Sequence, residues 1–414
     1  MNENRKSLLL LFFANGISGF AQGVSMLSIP WYFAKNNNSS VFNYAYAFLT
    51  FLIMFFGLYA GTLVDKFSRK NNFLITSLVC GFLILVISLI GYYNNGLTSP
   101  LIIMVFGITM LNYNIHYPTL YAFGQEISLP EQYKSVNSNI EIVGQSTSIL
   151  SGGFAAMLLD GFQFSVFNFS FSIEPWFIHD VFLMDAITYF IAAVLIYLIP
   201  YVPINKVVDL NETIIERLKK GFNYLNENRI IFIFGICSYL VFAMLLVEIH
   251  AVLPTYIKNH LQEKGNVFAL SDTIYAIGAL GAGFFVTKVF NKLSIINSII
   301  VLTFVTVLIF FAAAISKSVL IIYIISLILG FCNAGIRVLR LTYIFKLVPN
   351  NLMGRVGSIF NLLNVLIRSL FILLFSQSFF STSNNMVFAY AIMSFFLLLA
   401  VFFLLSIRNK IAVD

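Results

Sequence analysis

The sequence predicts an all-α membrane protein with twelve transmembrane helices, arranged as two pseudo-symmetric six-helix bundles. Three observations carry this prediction: the composition, the spacing of long apolar runs, and a weak repeat between the two halves of the chain. Of 414 residues, 59% are hydrophobic and only 10% are charged, whereas soluble domains carry about 25% charged residues. So few charges cannot cover the surface of a soluble globule of this length.

Apolar runs long enough to span a bilayer recur twelve times. A helix needs about 20 mainly apolar residues to cross the hydrocarbon core. The runs are residues 8–31, 42–64, 73–93, 101–123, 136–159, 181–201, 230–253, 271–290, 294–315, 319–345, 356–379 and 386–406. Arg5 and Lys6 precede the first run as in a secretion signal. The run is long and no small-residue cleavage site follows it, so it is predicted to stay as the first helix.

The distribution of basic residues predicts the orientation. Seventeen of the 24 Lys and Arg residues fall on one side of the predicted spans, four on the other and three inside spans. Loops rich in Lys and Arg stay in the cytoplasm, so both termini are predicted to be cytoplasmic. The same bias accounts for the net charge of +7 without a nucleic-acid partner.

The longest polar interruption divides the chain nearly in half. It predicts an N-terminal bundle at residues 1–202, a cytoplasmic linker at 203–229 and a C-terminal bundle at 230–414. In the linker, apolar residues recur at helical spacing, opposite charged ones, at Ile215, Leu218, Phe222 and Leu225. This pattern indicates an amphipathic helix on the membrane surface.

A weak repeat relates the two predicted bundles. Residues 61–70 (GTLVDKFSRK) follow the second span, and residues 283–292 (GFFVTKVFNK) follow the second span of the other half. Glycine, valine and two lysines coincide without gaps. Two parallel six-span halves are typical of transporters that bind substrate near the midplane, between the halves.

The loop after the second span resembles the signature loop of the major facilitator superfamily, a Gly-x-x-x-Asp-(Arg/Lys)-x-x-(Arg/Lys)-(Arg/Lys) pattern. The matching residues are Gly61, Asp65, Lys66, Arg69 and Lys70, preceded by Gly57 on the same helix face. Glycines allow close helix approach, and an acid at a helix end can pair with a basic group or a helix N-terminus. The resemblance implies a gate that closes the cytoplasmic side when the protein is open to the outside.

Four local motifs resemble the macrolide-efflux branch of this superfamily, a group of bacterial drug exporters. They are His116 with Pro118, and residues 129–132 (LPEQ), 185–193 (DAITYFIAA) and 353–358 (MGRVGS). The resemblance implies export across the bacterial cytoplasmic membrane. Two departures concern proton coupling. Thr109 stands where such exporters carry an arginine in the fourth span, and the fifth span lacks the proline of their antiporter motif.

Polar side chains inside spans are candidates for binding or coupling, because a charged group in the bilayer is costly unless it faces a cavity or a partner. The candidates are Arg337, Arg368, Glu248, His116, Asn112, Glu141, Gln145, Asn361 and Asn364. Arg368 is expected near the midplane. For Arg337 and Arg368, recognition of an anion and a structural salt bridge are the alternatives. Glu248 is a candidate proton carrier, and His116 either stabilises a kink by a hydrogen bond or carries protons.

Three further predictions concern residues near the membrane surfaces. Glu141 and Asp185 lie close to the starts of their spans and are expected to reach interfacial water. Arg340 is expected to extend its guanidinium to the cytoplasmic interface. Aromatic and polar residues alternate along 161–173, which is the periodicity of a strand. A short external hairpin and an irregular aromatic loop at the membrane surface are the two alternatives, and the sequence does not decide between them.

The function predicted from these features is secondary-active export of an amphipathic organic compound by alternating access, coupled to protons. The sequence has no Gly-x-x-x-x-Gly-Lys-(Ser/Thr) loop, so ATP is not expected to supply the energy. It also has no catalytic motif and no metal-ligand spacing, so neither an enzyme nor a cofactor is predicted. A neutral macrolide-like and an anionic siderophore-like substrate both remain open. The alternative function is a lipid transporter or flippase of the same fold. The expected partners are the substrate, protons and membrane lipids, and the protein is expected to be a monomer.

Overall fold

The computed structural model describes residues 2–129, 132–166, 169–201, 214–349, 352–381 and 385–410. The helices are α1 Asn2–Lys35, α2 Ser39–Lys66, α3 Arg69–Tyr93, α4 Ser99–Glu126, α5 Tyr133–Asp160, α6 Ile178–Tyr197, α7 Ile214–Glu227, α8 Arg229–Val247, α9 Leu253–Tyr256, α10 Gly265–Val289, α11 Ile295–Ile315, α12 Val319–Leu347, α13 Met353–Phe375, α14 Ser378–Ser381 and α15 Val387–Ile407. Two π-helical segments, Glu248–Val252 and Ile257–Leu261, flank α9, and a 3₁₀ turn occupies Arg408–Lys410.

Within these residues, 11 helices are long and apolar enough to cross a membrane. The chain from α8 through the second π segment counts as one of them, Arg229–Leu261. Helix α4 has a spanning length but is not among the 11, because Asn112, Asn114 and His116 lower the hydropathy of its middle. With α4 included, the described chain has the twelve spanning helices that the sequence predicts.

The first compact unit comprises Met1–Tyr32 and Phe55–Asp209. Its helices α3 and α6 approach each other closely at two glycines of α3. A Cβ atom at Gly81 would lie 2.9 Å from the Cβ of Tyr189, and one at Gly91 would lie 2.5 Å from the Cβ of His179. Helix α6 therefore buries one whole face against α3, and that face carries Asp185.

The second compact unit comprises Phe33–Met54 and Leu210–Asp414. Its tightest helix pair is α10 with α12, where a Cβ at Gly278 or at Gly330 would overlap the backbone of the facing helix. Helix α7 packs on the start of α13, because a Cβ at Gly221 would lie 2.7 Å from the Arg355 carbonyl oxygen. Leu225 of α7 is buried, whereas Ile215 and Phe222 are exposed.

A β-hairpin joins α5 to α6. Strands β1 (Phe162–Val166) and β2 (Phe169–Ile173) pair antiparallel, with Phe162 opposite Ile173 and Val166 opposite Phe169. The structure thus has the hairpin rather than the irregular loop. The alternation of the sequence has period two, which is the period of side chains along a strand.

Candidate functional site

The most irregular part of the second unit lies between α8 and α10. The π segment Glu248–Val252 continues α8, and Pro254 follows at the start of α9. Proline has no backbone N–H to donate, and π turns inside helices are frequent at functional sites. The side chain of Glu248 is buried at this point, and the hydroxyl of Tyr390 on α15 donates a hydrogen bond of 2.9 Å to its Oε1.

The N-terminal part of α2 holds the backbone beside Glu248. The Tyr46 hydroxyl donates to the Leu246 carbonyl at 3.3 Å, and the Asn43 amide donates to the Ala251 carbonyl at 3.3 Å. Both donors are buried. His250 faces Tyr46 with 5.5 Å between ring centroids. The π segment is therefore fixed in position, and it presents Glu248 and His250 from one irregular stretch of helix.

Arg368 on α13 lies close enough to Tyr46 and His250 to interact electrostatically with both. The side chain is half-buried, and its Nε atom is buried without a hydrogen bond in the described chain. One turn earlier, Asn364 is buried and donates to the Tyr239 carbonyl at 3.1 Å, while Asn361 is exposed. Asn364 therefore joins α13 to α8, whereas Arg368 has an N–H group that makes no hydrogen bond in the described chain.

Asp272 was missed by the sequence reasoning. The span was predicted to begin at residue 271, but α10 begins at Gly265, which places Asp272 about two turns inside the helix. Asp272 lies within electrostatic range of Glu248 and Tyr275, and Tyr275 accepts a hydrogen bond of 2.9 Å from Asn333. Gly265 after the polar stretch 262–264 was the available signal for the earlier helix start.

The two arginines of α12 differ in their surroundings. Arg337 is exposed and lies within electrostatic range of Tyr275 and Arg340. Arg340 is buried, contrary to the expectation that it extends to the interface. Its Nη1 donates to the Ser238 carbonyl at 2.9 Å, and its guanidinium lies 3.5 Å from the centroid of the Tyr239 ring. A carbonyl and an aromatic face from α8 therefore hold the cation inside the unit.

In the first unit, the amide and imidazole candidates of α4 are bound to α1. His116 Nε2 lies 3.0 Å from Asn15 Oδ1, and the His116 ring packs on Phe73 at 4.7 Å. Asn112 donates to Gln22 Oε1 at 3.5 Å. All four polar side chains are buried. These contacts join α1 to α4 and give His116 a hydrogen-bond partner on another helix. Kink stabilisation and proton carriage by His116 both stay predictions.

The candidates on α5 lie apart from that network. Glu141 is exposed and accepts a hydrogen bond of 2.5 Å from the Tyr121 hydroxyl, and Gln145 is half-buried. Asp185 on α6 is completely buried, with 0% of its surface exposed. The expectation that it reaches interfacial water is therefore wrong. The helix starts at Ile178 and turns this residue into the contact with α3, because a short distance from a helix end does not decide which face a residue occupies.

The signature loop is described in part. The side chains of Asp65 and Lys66 and the surroundings of Gly61 lie outside what the structure describes, and Gly57 packs beside Asn114. Arg69 forms a buried ion pair with Glu126, with 3.4 Å between Nε and Oε1, and the Tyr201 hydroxyl donates to Glu126 Oε2 at 2.6 Å. Burial and then the hydrogen bond to Glu126 raise the pKa of Tyr201 to about 12.

Lys70, the last residue of the loop pattern, caps α6. Its Nζ donates to the Tyr197 carbonyl at 2.8 Å and to the Ile199 carbonyl at 2.7 Å. A cation at the C-terminal end of a helix satisfies free carbonyls and the helix dipole. Three side chains of this region, Arg69, Lys70 and Glu126, thus tie the start of α3 to the ends of α4 and α6.

An apolar groove of about 470 Å³, open on the surface of the first unit, lies between α1, α5 and α6. Its walls include Phe12, Phe13, Ile17, Val143 and Leu150. No group of three His, Cys, Asp or Glu side chains that could hold a metal ion occurs among the described residues.

Comparison with known proteins identifies the fold. A family model described as Major Facilitator Superfamily matches residues 11–372. The structure of the nucleoside transporter NupG is similar, with a TM-score of 0.71 at 13% identity over 99% of both chains. A bacterial homologue of the human lysosomal transporter Spinster in an inward-facing state gives 0.72 at 11% identity, over 97% of this chain and 96% of that chain.

A bacterial homologue of the iron transporter ferroportin in an inward-facing state gives a TM-score of 0.67 at 14% identity, over 97% of this chain and 98% of that chain. No protein of curated function matches the chain in sequence. At these identities the structural likeness concerns the fold and says nothing about the substrate.

Proposed function

The chain belongs to the Major Facilitator Superfamily, and from that premise we propose that it exports an amphipathic, anionic organic compound from the cytoplasm by alternating access. Proton exchange supplies the energy, and the protein works as a monomer in the bacterial cytoplasmic membrane with both termini inside. The two halves of the sequence, 1–202 and 230–414, are the parts that move in this proposal, and residues 203–229 link them.

The observation that carries the proposal is that a donor of Arg368 has no acceptor in the described chain. Its Nε is buried without a hydrogen bond in the described chain, and no ion pair joins it to Glu248 there. A guanidinium in a span is costly unless something anionic offsets it. Its planar fork of donors suits a carboxylate, so the substrate supplies the anion. Tyr46 and His250, which lie within range of Arg368, would contact the same substrate.

Glu248 is the proposed coupling group in the second half. It is buried, it accepts a hydrogen bond from Tyr390, and Asp272 lies within electrostatic range. Two carboxyl groups so placed in an apolar interior disfavour each other's ionised forms, so proton binding by one depends on the charge of the other. Arg337, Asn361 and Gln145 are secondary candidates for lining the substrate path.

The test is binding of a carboxylate-bearing siderophore and of a neutral macrolide to the wild type and to Arg368→Gln. We expect the variant to lose the anionic compound, because glutamine keeps a polar side chain but removes the charge. Arg408→Gln is the matched control, since Arg408 is an exposed arginine in the last turn. Equal loss of both compounds, or retention of both, would show that Arg368 does not recognise charge.

Asp65 is the proposed gate residue, which contacts the cytoplasmic end of the eleventh span, or the loop before it, when the protein is open to the outside. Asp65→Asn is expected to reduce transport strongly and to leave the thermal unfolding of the purified protein unchanged. Near-normal transport by the variant would show that the loop only determines the orientation of the protein in the membrane and does not form a gate.

The second candidate function is transport of a membrane lipid. The open apolar groove beside Phe12, Phe13 and Ile17 favours it, because its volume and walls suit an acyl chain. Transport in proteoliposomes under an imposed pH gradient separates the two functions. Coupled export responds to the gradient, whereas uncoupled lipid movement does not.

A further inference from the structure

Asp185 is a buried acid that the proposed transport mechanism does not yet use. It lies about two turns into α6, on the face formed with Phe182 and Tyr189. None of its surface is exposed, and Tyr189 is 1% exposed. The close approach of α3 at Gly81, beside Tyr189, closes this side of the unit. The carboxyl group therefore lies in the interior of the unit and not in a groove on its surface.

The groups that face Asp185 come from four helices. Ser25 of α1 and Cys80 of α3 lie beside the carboxyl, and Tyr189 lies one turn further along α6. Thr109 and Tyr113 of α4 face Tyr189. The titratable neighbours are thus a thiol and two phenols, and none of these neighbours carries a positive charge.

Three side chains in this cluster have unsatisfied polar atoms. Both carboxyl oxygens of Asp185, the Ser25 hydroxyl and the Tyr189 hydroxyl are buried and make no hydrogen bond of ordinary geometry in the described chain. An ionised carboxylate with neither a cation nor a donor is strongly unfavourable in an apolar interior. Hydroxyl groups rotate to donate or accept. After a small movement, Ser25 and Tyr189 can therefore donate to the ionised carboxylate or accept from the protonated carboxyl group.

We propose that Asp185 is a proton-binding site of the first half of the chain, which holds a proton in this structure and releases it during the transport cycle. It acts beside Glu248 as a second coupling group. The reaction is a transfer of one proton between the carboxyl oxygen and water that reaches the site when the helices move. Its part in coupling rests on the proposed proton-driven export, whereas proton binding itself is independent of that function.

Infrared titration of the purified full chain in lipid nanodiscs tests proton binding directly. A protonated carboxyl group gives a carbonyl-stretch band that disappears on ionisation. We expect the wild type to show a band that is lost as pH rises, Asp185→Asn to lack it, and Glu248→Gln to keep it. Asparagine has nearly the shape of the neutral acid, and thermal unfolding of the variant verifies its fold. A band from Asp185 that persists at every pH, or no difference between wild type and Asp185→Asn, would overturn the proposal.

Proteoliposomes test the link to transport, with the anionic compound bound by the wild type as the probe. Asp185→Asn is expected to lose accumulation driven by a pH gradient and to retain exchange of the compound at equal pH. Gradient-driven accumulation that survives in the variant would overturn the coupling role. A wild type that ignores the gradient would instead refute proton-driven export, and the infrared titration would still decide whether Asp185 binds a proton.

Discussion

The two units each bury an acid and hold an arginine in a largely apolar chain, but they differ in which of these groups has a partner. In the first unit Arg69 is paired with Glu126, while the oxygens of Asp185 make no hydrogen bond in the described chain. In the second unit Glu248 accepts a hydrogen bond from Tyr390, while the Nε of Arg368 makes none there. Arg69 Nη1 and Arg340 Nε also make no hydrogen bond in the described chain, but Arg69 has its ion pair and Arg340 has a carbonyl and an aromatic ring as partners. The acid of the first unit and Arg368 of the second are therefore the groups with the fewest partners.

This difference separates groups that have a partner in this state of the protein from groups that are available to a ligand or a proton in the same state. A buried polar group with good partners contributes to the free energy of unfolding or lowers it little, whereas one without partners lowers it by its desolvation penalty. Such a cost is expected only where a ligand or a proton removes it during function. The comparison therefore predicts large stability losses at Arg69 and Tyr390 and none at Arg368.

Arg69→Ala is expected to have the largest effect. The side chains of Arg69 and Glu126 are only 5% and 7% exposed, and removing one partner of a buried ion pair costs about 3–5 kcal/mol. Thermal unfolding in detergent measures this loss. Arg408→Ala removes an exposed arginine and should leave the unfolding temperature within error. Equal unfolding temperatures for the two variants would place Arg69 among the groups that the fold does not need.

Tyr390→Phe is expected to cost about 1–3 kcal/mol, because the buried Oε1 of Glu248 loses its donor. The loss should nearly vanish when the same substitution is made in a Glu248→Ala background, since the partner is then already absent. A full loss in both backgrounds would mean that Tyr390 stabilises the unit by packing, and Glu248 would then join Asp185 as an acid without an effective partner.

Tyr201→Phe is expected to cost about 1 kcal/mol, because the hydroxyl donates to Glu126 but is only half-buried. The pKa of Tyr201 is raised from 10.0 to about 12, so the folded state binds the phenolic proton more tightly than the unfolded state. The stabilisation is therefore complete below pH 10 and is lost as pH rises towards 12. Unfolding of wild type and variant at neutral and alkaline pH measures this dependence. A difference that grows with pH would contradict it.

The fold could be predicted from the sequence to a greater extent than the partners of its polar residues. Long apolar runs decide where helices cross a membrane, so the spans followed from the sequence. The alternation along 161–173 left the hairpin as one of two alternatives, and the structure has the hairpin. Asp185 and Arg340 were misplaced because their environment is set by other helices. The ring of Tyr239 covers Arg340, and the glycines of α3 admit α6. Such contacts are long-range and leave no local pattern, whereas Asp272 was missed because the start of its own helix α10 was placed too late.

Arg368→Leu is expected to have the smallest effect on stability, and it distinguishes best between the two kinds of arginine. Leucine fills much of the same apolar space and removes a guanidinium whose Nε has no hydrogen bond in the described chain. Removing a half-buried charge that has no ion pair in the described chain also removes its desolvation cost, so the free energy of unfolding should fall by less than about 0.5 kcal/mol or rise.

Arg340→Leu is the matched control. Arg340 lies on the preceding helix α12, and its Nε, like that of Arg368, makes no hydrogen bond in the described chain, but Arg340 has both a carbonyl and an aromatic partner. It should lower the unfolding temperature clearly more than Arg368→Leu, although both variants lose one arginine. A destabilisation by Arg368→Leu as large as that by Arg340→Leu would show that Arg368 serves the fold. The anion would then have to be recognised elsewhere, with Arg337 as the next arginine to test.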